Sequence, residues 1–522
     1  MDQLETLMLR VPTAPSTDPR RAAGLIGFDI RALHRARLSR DPRFDGRFYI
    51  AVTTTGIYCR PICPSPTSRR EHVVYYATVA AAAAAGFRPC RRCRPEAAPG
   101  SPAWPGTSAV VRRALRLIGE GALDHGSVEQ LSELVGIGAR HLHRLFVQHV
   151  GASPIAVAQT RRLHFAKRLL DDSALPITEI ALASGFGSVR RFNSAFRLTF
   201  DCAPRDVRRQ PRSARSGATV DEVVLRLAYR PPYDWRHALH VLAARAIPGV
   251  ETVTTQGYAR TVVTAGGPTI VRVWPVESAH ALYFSVHGAG LSDLLWLSST
   301  ARRVFDLAAD PAAIIHAFKS DQMLAPLVRR RPGVRIVGVW DPFECAVSAI
   351  VTGHSPEART RSILGRLVAL AGQPVAEPTT DLTHLFPTPS AVASCSLDGI
   401  GVSSRCRATL RALAQAVVEG RLNLGGPVET ITEQLAALSG VDAALDQHVA
   451  LYGLGEPDAF PIDAAMSTAV IGTRAGIRSR KALELRAERW RPWRGYAAAH
   501  LTYSSAARAK PPERNVAERL QG

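Results

Sequence analysis

Long apolar runs are the first thing this chain lacks. None of its 522 residues falls in a stretch long and apolar enough to cross a bilayer, and the alanine run Ala80–Ala85 is short. That argues against a membrane-spanning helix. The opening string MDQLETLMLR carries early acidic residues and no apolar core, so it does not read as a secretory leader. Cysteine is scarce, with eight in all, and Cys202, Cys345, Cys395 and Cys406 stand in no framework pattern. A disulfide-stapled secreted scaffold is therefore excluded, and the expected setting is the reducing cytoplasm. Acid is also short: 44 acidic residues face 65 basic ones, for a net charge of +21. Such an excess disfavours an acidic small molecule as the main partner and favours nucleic acid. Lysine is nearly missing from that excess, because Lys167, Lys319, Lys481 and Lys510 are the only four.

What cysteine there is carries the most information. Cys59 and Cys63 stand as C-x3-C in GIYCRPICP, and Cys90 and Cys93 as C-x2-C in GFRPCRRCRP. Two such knuckles suit one tetrahedral all-thiolate zinc ion. Zinc keeps thiols as thiolates near neutral pH, so the same site is either a folding staple or a store of nucleophile.

The flanking strings TTGIYCRPICP and RREHVVYYATVAAAAAAGFRPCRRCRPE resemble the N-terminal domain of Ada-type DNA methylphosphotriester repair proteins, over roughly Asp45 to Glu96. The resemblance implies that all four cysteines hold one zinc and that the first, Cys59, irreversibly accepts a methyl group from a DNA phosphotriester. A zinc thiolate is a good nucleophile toward a methyl carbon. Methylation removes one negative charge beside DNA, so a basic protein then grips phosphates more tightly. Arg60 and Arg70 are the arginines expected to face phosphate, within a set that includes Arg69, Arg88, Arg91, Arg92 and Arg94; others of the set are solvated surface.

A Pro/Gly-rich break at 95–108 and an Arg-rich break at about 210–217 enclose an internal repeat. VEQLSELVGIGARHLHRLF echoes ITEIALASGFGSVRRFNSAF about 50 residues later. Each copy has an apolar helix, a glycine-containing turn and a basic amphipathic helix, which is the helix-turn-helix plan. A connecting helix is expected over 155–170. The segment 107–209 resembles the AraC-type DNA-binding domain. The expected groove and phosphate contacts are Arg140, His141 and Arg144 in one recognition helix, with Ser188, Arg190, Arg191 and Asn193 in the other. Tandem motifs suit two successive major grooves of duplex DNA without dimerisation, so a monomer is expected, with RNA polymerase as a further partner of an activator.

From about Thr219 the pattern becomes α+β, then helical. LRLAYRPPYDW, PGVRIVGVWDPFECAVSAIV, THLFPTPSAVA, EPDAFP and ERWRPWRGYAAAHL resemble AlkA-type 3-methyladenine DNA glycosylases over about 219–503. That implies a β-rich subdomain and a helix-hairpin-helix domain in which Asp463 drives hydrolytic base loss. A carboxylate beside a developing sugar cation is the right device. The hairpin at 438–448 has no lysine, which argues against a lyase step. No Pro-Cys-His-Arg string marks a second alkyl acceptor.

The chain departs from that second family at its pocket. The hairpin reads Leu438-Ser439-Gly440-Val441-Asp442 where Leu-Pro-Gly-Ile-Gly is expected, so Gly440 is left to offer its amide to a phosphate beside an opposing Asp442. Ala444, His448 and Thr502 stand where base-gripping aromatics belong, leaving His448 as the base-pocket candidate.

The expected architecture is a multidomain α+β chain. A zinc methyl-acceptor domain spans 27–97, and an all-helical double helix-turn-helix domain 107–210. A β-rich subdomain spans 219–300, a helix-hairpin-helix glycosylase domain 301–504, and a disordered tail 505–522. The expected function is alkylation-damage repair and response by a hydrolytic 3-methyladenine glycosylase joined to a suicidal phosphotriester methyltransferase. The alternative is a methylation-switched activator whose glycosylase domain has lost catalysis.

Overall fold

The computed structural model describes residues 29–99, 109–124, 126–208, 222–276, 280–287, 293–376, 378–441, 444–462, 466–467, 470–471 and 477–509. They fall into two compact bodies, residues up to 230 with 278–299, and 231–277 with 300 onward.

The first body begins with α1 (Ile30–Leu38), capped by the Asp29 carboxylate, which accepts from the Arg31 N–H. Three short strands follow, β1 (Tyr49–Val52), β2 (Ile57–Cys59) and β3 (Val73–Tyr76), then α2 (Val79–Ala84) and β4 (Arg88–Pro89). The sheet order is β3-β1-β2-β4, with β4 parallel to β2. Alternation along β1 and β3 splits their side chains between two cores. Ile50, Val73 and Tyr75 pack with Leu33 and Phe48 on one face, while Tyr49, Ala51, Val74 and Tyr76 pack with Ala81, Ala82 and Phe87 on the other. The first half of the alanine run, Ala80, Ala81 and Ala82, is therefore core, where side chains of one carbon let α2 lie close on the sheet, while Ala84 is exposed.

The helical part holds α3 (Ala109–Gly119), α4 (Val128–Leu134), α5 (Ala139–His149), α6 (Pro154–Asp172), α7 (Ile177–Ala183), α8 (Val189–Phe200) and α9 (Pro204–Val207). Both expected helix-turn-helix motifs form, α4–α5 and α7–α8. Their turns need left-handed backbone, supplied by Gly136 (φ 75°) and Gly185 (φ 78°) at matching points of the repeat. The connecting helix α6 runs slightly beyond the expected 155–170, because Pro154 fits a first helical turn and Ser153 caps it. Leu131, Leu142 and Phe146 close the first motif; the rings of Phe192, Phe196 and Phe200 pack edge-to-face and tilted through the second. β5 (Glu222–Ala228) also belongs to this body.

The second body contains α10 (Trp235–Arg245) and an antiparallel meander of β6 (Glu251–Val253), β7 (Tyr258–Thr264) and β8 (Gly267–Val276), with Thr261 opposite Ile270. The chain then returns to the first body for β9 (Ala281–His287), antiparallel to β5 with Leu225 opposite Phe284. The segment 219–300, expected as one subdomain, thus contributes strands to both bodies. Helices follow: α11 (Leu294–Val304), α12 (Pro311–Phe318), α13 (Leu324–Arg330), α14 (Pro342–His354), α15 (Glu357–Ala371), α16 (Pro389–Ser394), α17 (Ser404–Val418), α18 (Val428–Ala436), α19 (Leu445–His448), α20 (Arg480–Ala487) and α21 (Arg494–Ala509). Two clusters fill the helical part of this body. One includes Val347, Leu367, Leu410 and Leu435; the other includes Phe318, Trp490, Trp493 and Leu501. The last helix enters the segment expected as a disordered tail and ends at Ala509; residues 510–522 lie outside the described residues. No helix among the described residues is long and apolar enough to cross a membrane.

Candidate metal centre and nucleic-acid interface

The two cysteine knuckles meet because β2 and β4 run side by side. Ile57 lies opposite Arg88 and Tyr58 opposite Pro89, and the Cys90 N–H donates to the Tyr58 carbonyl at 2.9 Å. Cys59 ends β2, and Cys63 returns through a turn in which its N–H donates to the Arg60 carbonyl. The left-handed backbone of Arg94 (φ 51°) turns the chain after Cys93. All four sulfurs lie within 4.8 Å of one another, and Cys63 Sγ stands 4.0 Å from Cys90 Sγ. Four sulfurs around one zinc at about 2.3 Å stand about 3.8 Å apart, so the cluster fits a single tetrahedral ion with little adjustment. It is the one group of potential metal ligands found among the described residues.

Hydrogen bonds from Cys59, Cys90 and Cys93 hold Cys63 well below the usual thiol range, and Cys90 is lowered to about 6, first by Cys59. Cys59 is pushed up because it donates to Cys63, Cys90 and Cys93. A divalent ion at the centre would remove that competition and keep all four as thiolates.

Cys90 and Cys93 are buried, whereas Cys59 and Cys63 are half-buried. Cys93 Sγ also accepts the Arg60 N–H at 3.3 Å. Arg60, expected to face phosphate, is instead turned inward. Its guanidinium makes a two-pronged pair with the buried Asp45 and donates to the Cys93 carbonyl at 3.0 Å. Arg60 therefore ties the two knuckles together. Arg70 is exposed.

On the recognition helices, Arg140, His141 and Arg144 of α5 and Arg190 and Arg191 of α8 are exposed. Ser188 stands at the N-terminal cap of α8, and Ser188 and Asn193 are half-buried. His141 and Arg144, one turn apart, touch at 2.9 Å.

Sequence reading missed the layer beneath the cysteines. The Tyr58 hydroxyl and His164 Nε2 of α6 are 2.9 Å apart and buried. Glu96 and Lys167 form a buried ion pair at 2.6 Å, and Lys167 also reaches Asp171 at 2.9 Å. Burial alone would raise Glu96; the Lys167 ammonium overrides it and holds the carboxyl below its usual range. A lysine in so lysine-poor a chain was the one available signal.

In the second body, Gly440 adopts φ 85°, and a Cβ there would run into the Thr409 hydroxyl. The hairpin glycine is thus fixed by sterics, while Asp442 lies outside the described residues. Ala444, at an expected tryptophan position, is buried. His448 packs on Tyr452 at 4.7 Å, and the Arg245 guanidinium covers the Tyr452 ring at 4.0 Å. Desolvation, reinforced by Arg245, lowers His448 to about 3, so it is neutral. Asp463, the expected catalytic acid, lies outside the described residues. The run leading to it is anchored: the Phe460 N–H donates to Gln447 Oε1 at 3.2 Å, and Arg494 Nε donates to the Asp458 carbonyl at 2.8 Å.

Three family models match the chain: the metal-binding domain of Ada at 32–96, a helix-turn-helix domain at 131–210 and the AlkA N-terminal domain at 224–341. The chain is 32% identical over 286 residues to the Escherichia coli protein named DNA-3-methyladenine glycosylase 2, covering 53% of this chain and 96% of that one. It is 40% identical over 151 residues to the Escherichia coli bifunctional transcriptional activator/DNA repair enzyme Ada, covering 28% and 40%. Over 496 residues it is 37% identical to a Mycobacterium tuberculosis protein named "Probable bifunctional transcriptional activator/DNA repair enzyme AlkA", covering 94% of this chain and 99% of that protein. With nearly the whole of both chains aligned, this chain belongs to the family of that bifunctional transcriptional activator/DNA repair enzyme.

Proposed function

We propose that the chain senses and repairs DNA alkylation in the cytoplasm, as a monomer on duplex DNA. Cys59 accepts a methyl group from a methylphosphotriester, and the two helix-turn-helix motifs carry the signal to a promoter and RNA polymerase. The gathering of four sulfurs in one body with two recognition helices carries this reading. A bound zinc would supply thiolate character without a general base. The carbon–sulfur bond forms as the methyl carbon–oxygen bond breaks, the phosphodiester anion leaves, and no proton moves. Cys59 is favoured as acceptor by the family resemblance and because it is less buried than Cys90 and Cys93. Arg70, Arg140, His141, Arg144, Ser188, Arg190, Arg191 and Asn193 are the proposed DNA contacts. Duplex DNA carrying a labelled methylphosphotriester tests the reading: wild type takes up label, and Cys59→Ser takes up none. Label on Cys59→Ser would move the acceptor elsewhere.

The C-terminal half is proposed to hydrolyse the N-glycosidic bond of alkylated purines, with Asp463 stabilising the sugar cation and the Gly440 amide bound to phosphate. The column Arg245–Tyr452–His448 favours a second reading, in which this half binds DNA without excising. A guanidinium over the ring that packs on His448 opposes a cationic methylated base beside it. Release of free base from methylated duplex by wild type but not by Asp463→Asn supports the enzyme; release by neither supports the second reading.

A further inference from the structure

The buried contacts beneath the cysteines all lead to the helix-turn-helix domain. His164, Lys167 and Asp171 are spaced three and four residues apart, so they share one face of α6. Tyr58, immediately before Cys59, meets His164, and Glu96, three residues after Cys93, meets Lys167. Each cysteine knuckle is therefore anchored on the connecting helix within three residues of a sulfur. Arg94 adds a surface brace to Asp171 at 3.0 Å.

The same domain also touches the C-terminal ends of both recognition helices. The Thr78 hydroxyl donates to the Val150 carbonyl at the end of α5, at 3.0 Å. At the end of α8, Arg91 donates to the Phe200 carbonyl at 3.2 Å, and Arg88 pairs with Asp201. Arginine is well suited to a helix C-terminus, where carbonyls are unpaired.

A buried ion pair adds little net stability but penalises every docking arrangement that separates it. The Lys167 and Glu96 side chains are 6% and 0% exposed, so a slipped register would strand a charge. The Tyr58–His164 contact adds a directional constraint beside it, with the imidazole kept neutral by burial.

We infer that α6 positions the methyl-acceptor site: Tyr58–His164 and Glu96–Lys167 hold the cysteine knuckles in fixed register with the two recognition helices, so that the duplex gripped by those helices presents its phosphotriester to Cys59. His164 and Lys167 are positioning residues, 71 to 106 positions along the chain from their partners. The inference rests on Cys59 as the acceptor.

Two full-length variants test it. Tyr58→Phe keeps the ring and removes the hydroxyl. Glu96→Gln with Lys167→Met removes both charges together, so neither is left stranded. Each is given two methyl donors: methyl iodide, which needs no DNA and releases iodide, and a short duplex carrying one labelled methylphosphotriester. Zinc content and duplex affinity before and after methylation are measured alongside. The expected result is wild-type zinc content and methyl iodide rate, with transfer from duplex slowed about tenfold or more, since small displacements of a reacting group are costly. The gain in duplex affinity on methylation is expected to shrink as well, and Lys167→Arg alone to keep near-wild-type transfer. Duplex transfer at the wild-type rate in both variants overturns the inference. So does a methyl iodide rate that falls in step with the duplex rate, which would make the contacts mere support for the metal site. Wild-type protein that labels from neither donor, or Cys59→Ser that labels as well as wild type, overturns the acceptor reading itself.

Discussion

Both bodies bury arginine–carboxylate pairs, but in different places. In the first, Arg60 joins Asp45 one residue from a cysteine ligand and donates to the carbonyl of another. In the second, Arg260 makes a two-pronged bond to Glu344 at 3.2 and 2.9 Å and reaches Glu251 at 3.2 Å, between β7, β6 and α14. No reactive group among the described residues is tied to that second network. The same chemistry thus shapes a site in one body and holds a sheet to a helix in the other. The difference teaches that burial of a pair says little about function until its distance from a reactive atom is known.

The largest effect that would sharpen this contrast is on the scaffold pair. Arg260→Met leaves Glu344 and Glu251 buried without a cation, and a loss of about 3–5 kcal/mol is expected in denaturant unfolding. Methyl transfer to Cys59 by the folded fraction should be unaffected; a parallel loss of transfer would break the contrast.

Next comes acid. Burial draws His164 from 6.5 to about 4 in the folded state, so the unfolded chain takes up its proton first as pH falls. His164 therefore contributes its full stability above about 6.5 and loses it progressively toward pH 4, on the order of 3 kcal/mol at the low end. His164→Gln should flatten this part of the stability–pH profile of the first body. An unchanged slope would show that His164 is not buried as described.

Arg60→Gln should cost less in stability and more in metal. A tie between ligand knuckles of this kind is worth about 10- to 100-fold in affinity, readable by competition with a zinc chelator. Unchanged affinity would reduce Arg60 to a structural pair like Arg260. The smallest effect belongs to single exposed arginines: Arg190→Ala should weaken duplex binding uniformly and lower the slope of log affinity against log salt by about 1.

Much of the metal site was legible because its ligands are local. C-x3-C and C-x2-C are contiguous words, and the chemistry of four thiols needs nothing more distant. The helix-turn-helix repeat was legible for the same reason, since Gly136 and Gly185 mark turns that only a permissive residue forms easily. Arg60 was misread because sequence shows a charge but not its direction; Asp45, 15 residues earlier, turns it inward. His448 stands out in the sequence where an aromatic is expected, but its surroundings do not: Arg245, which covers the neighbouring Tyr452 ring, lies about 200 positions upstream and carries no motif.

The sequence by itself determined the metal, the repeat, the basic surface and the family resemblance, because each depends on residue type and short spacing. Tertiary structure alone decided that the acceptor strand sits on the connecting helix and that Ala80, Ala81 and Ala82 are core. It also decided that Lys167, one of four lysines, lies buried against Glu96. Those outcomes depend on which distant surfaces meet, and a buried charge chooses its partner only when folding has removed water from around it.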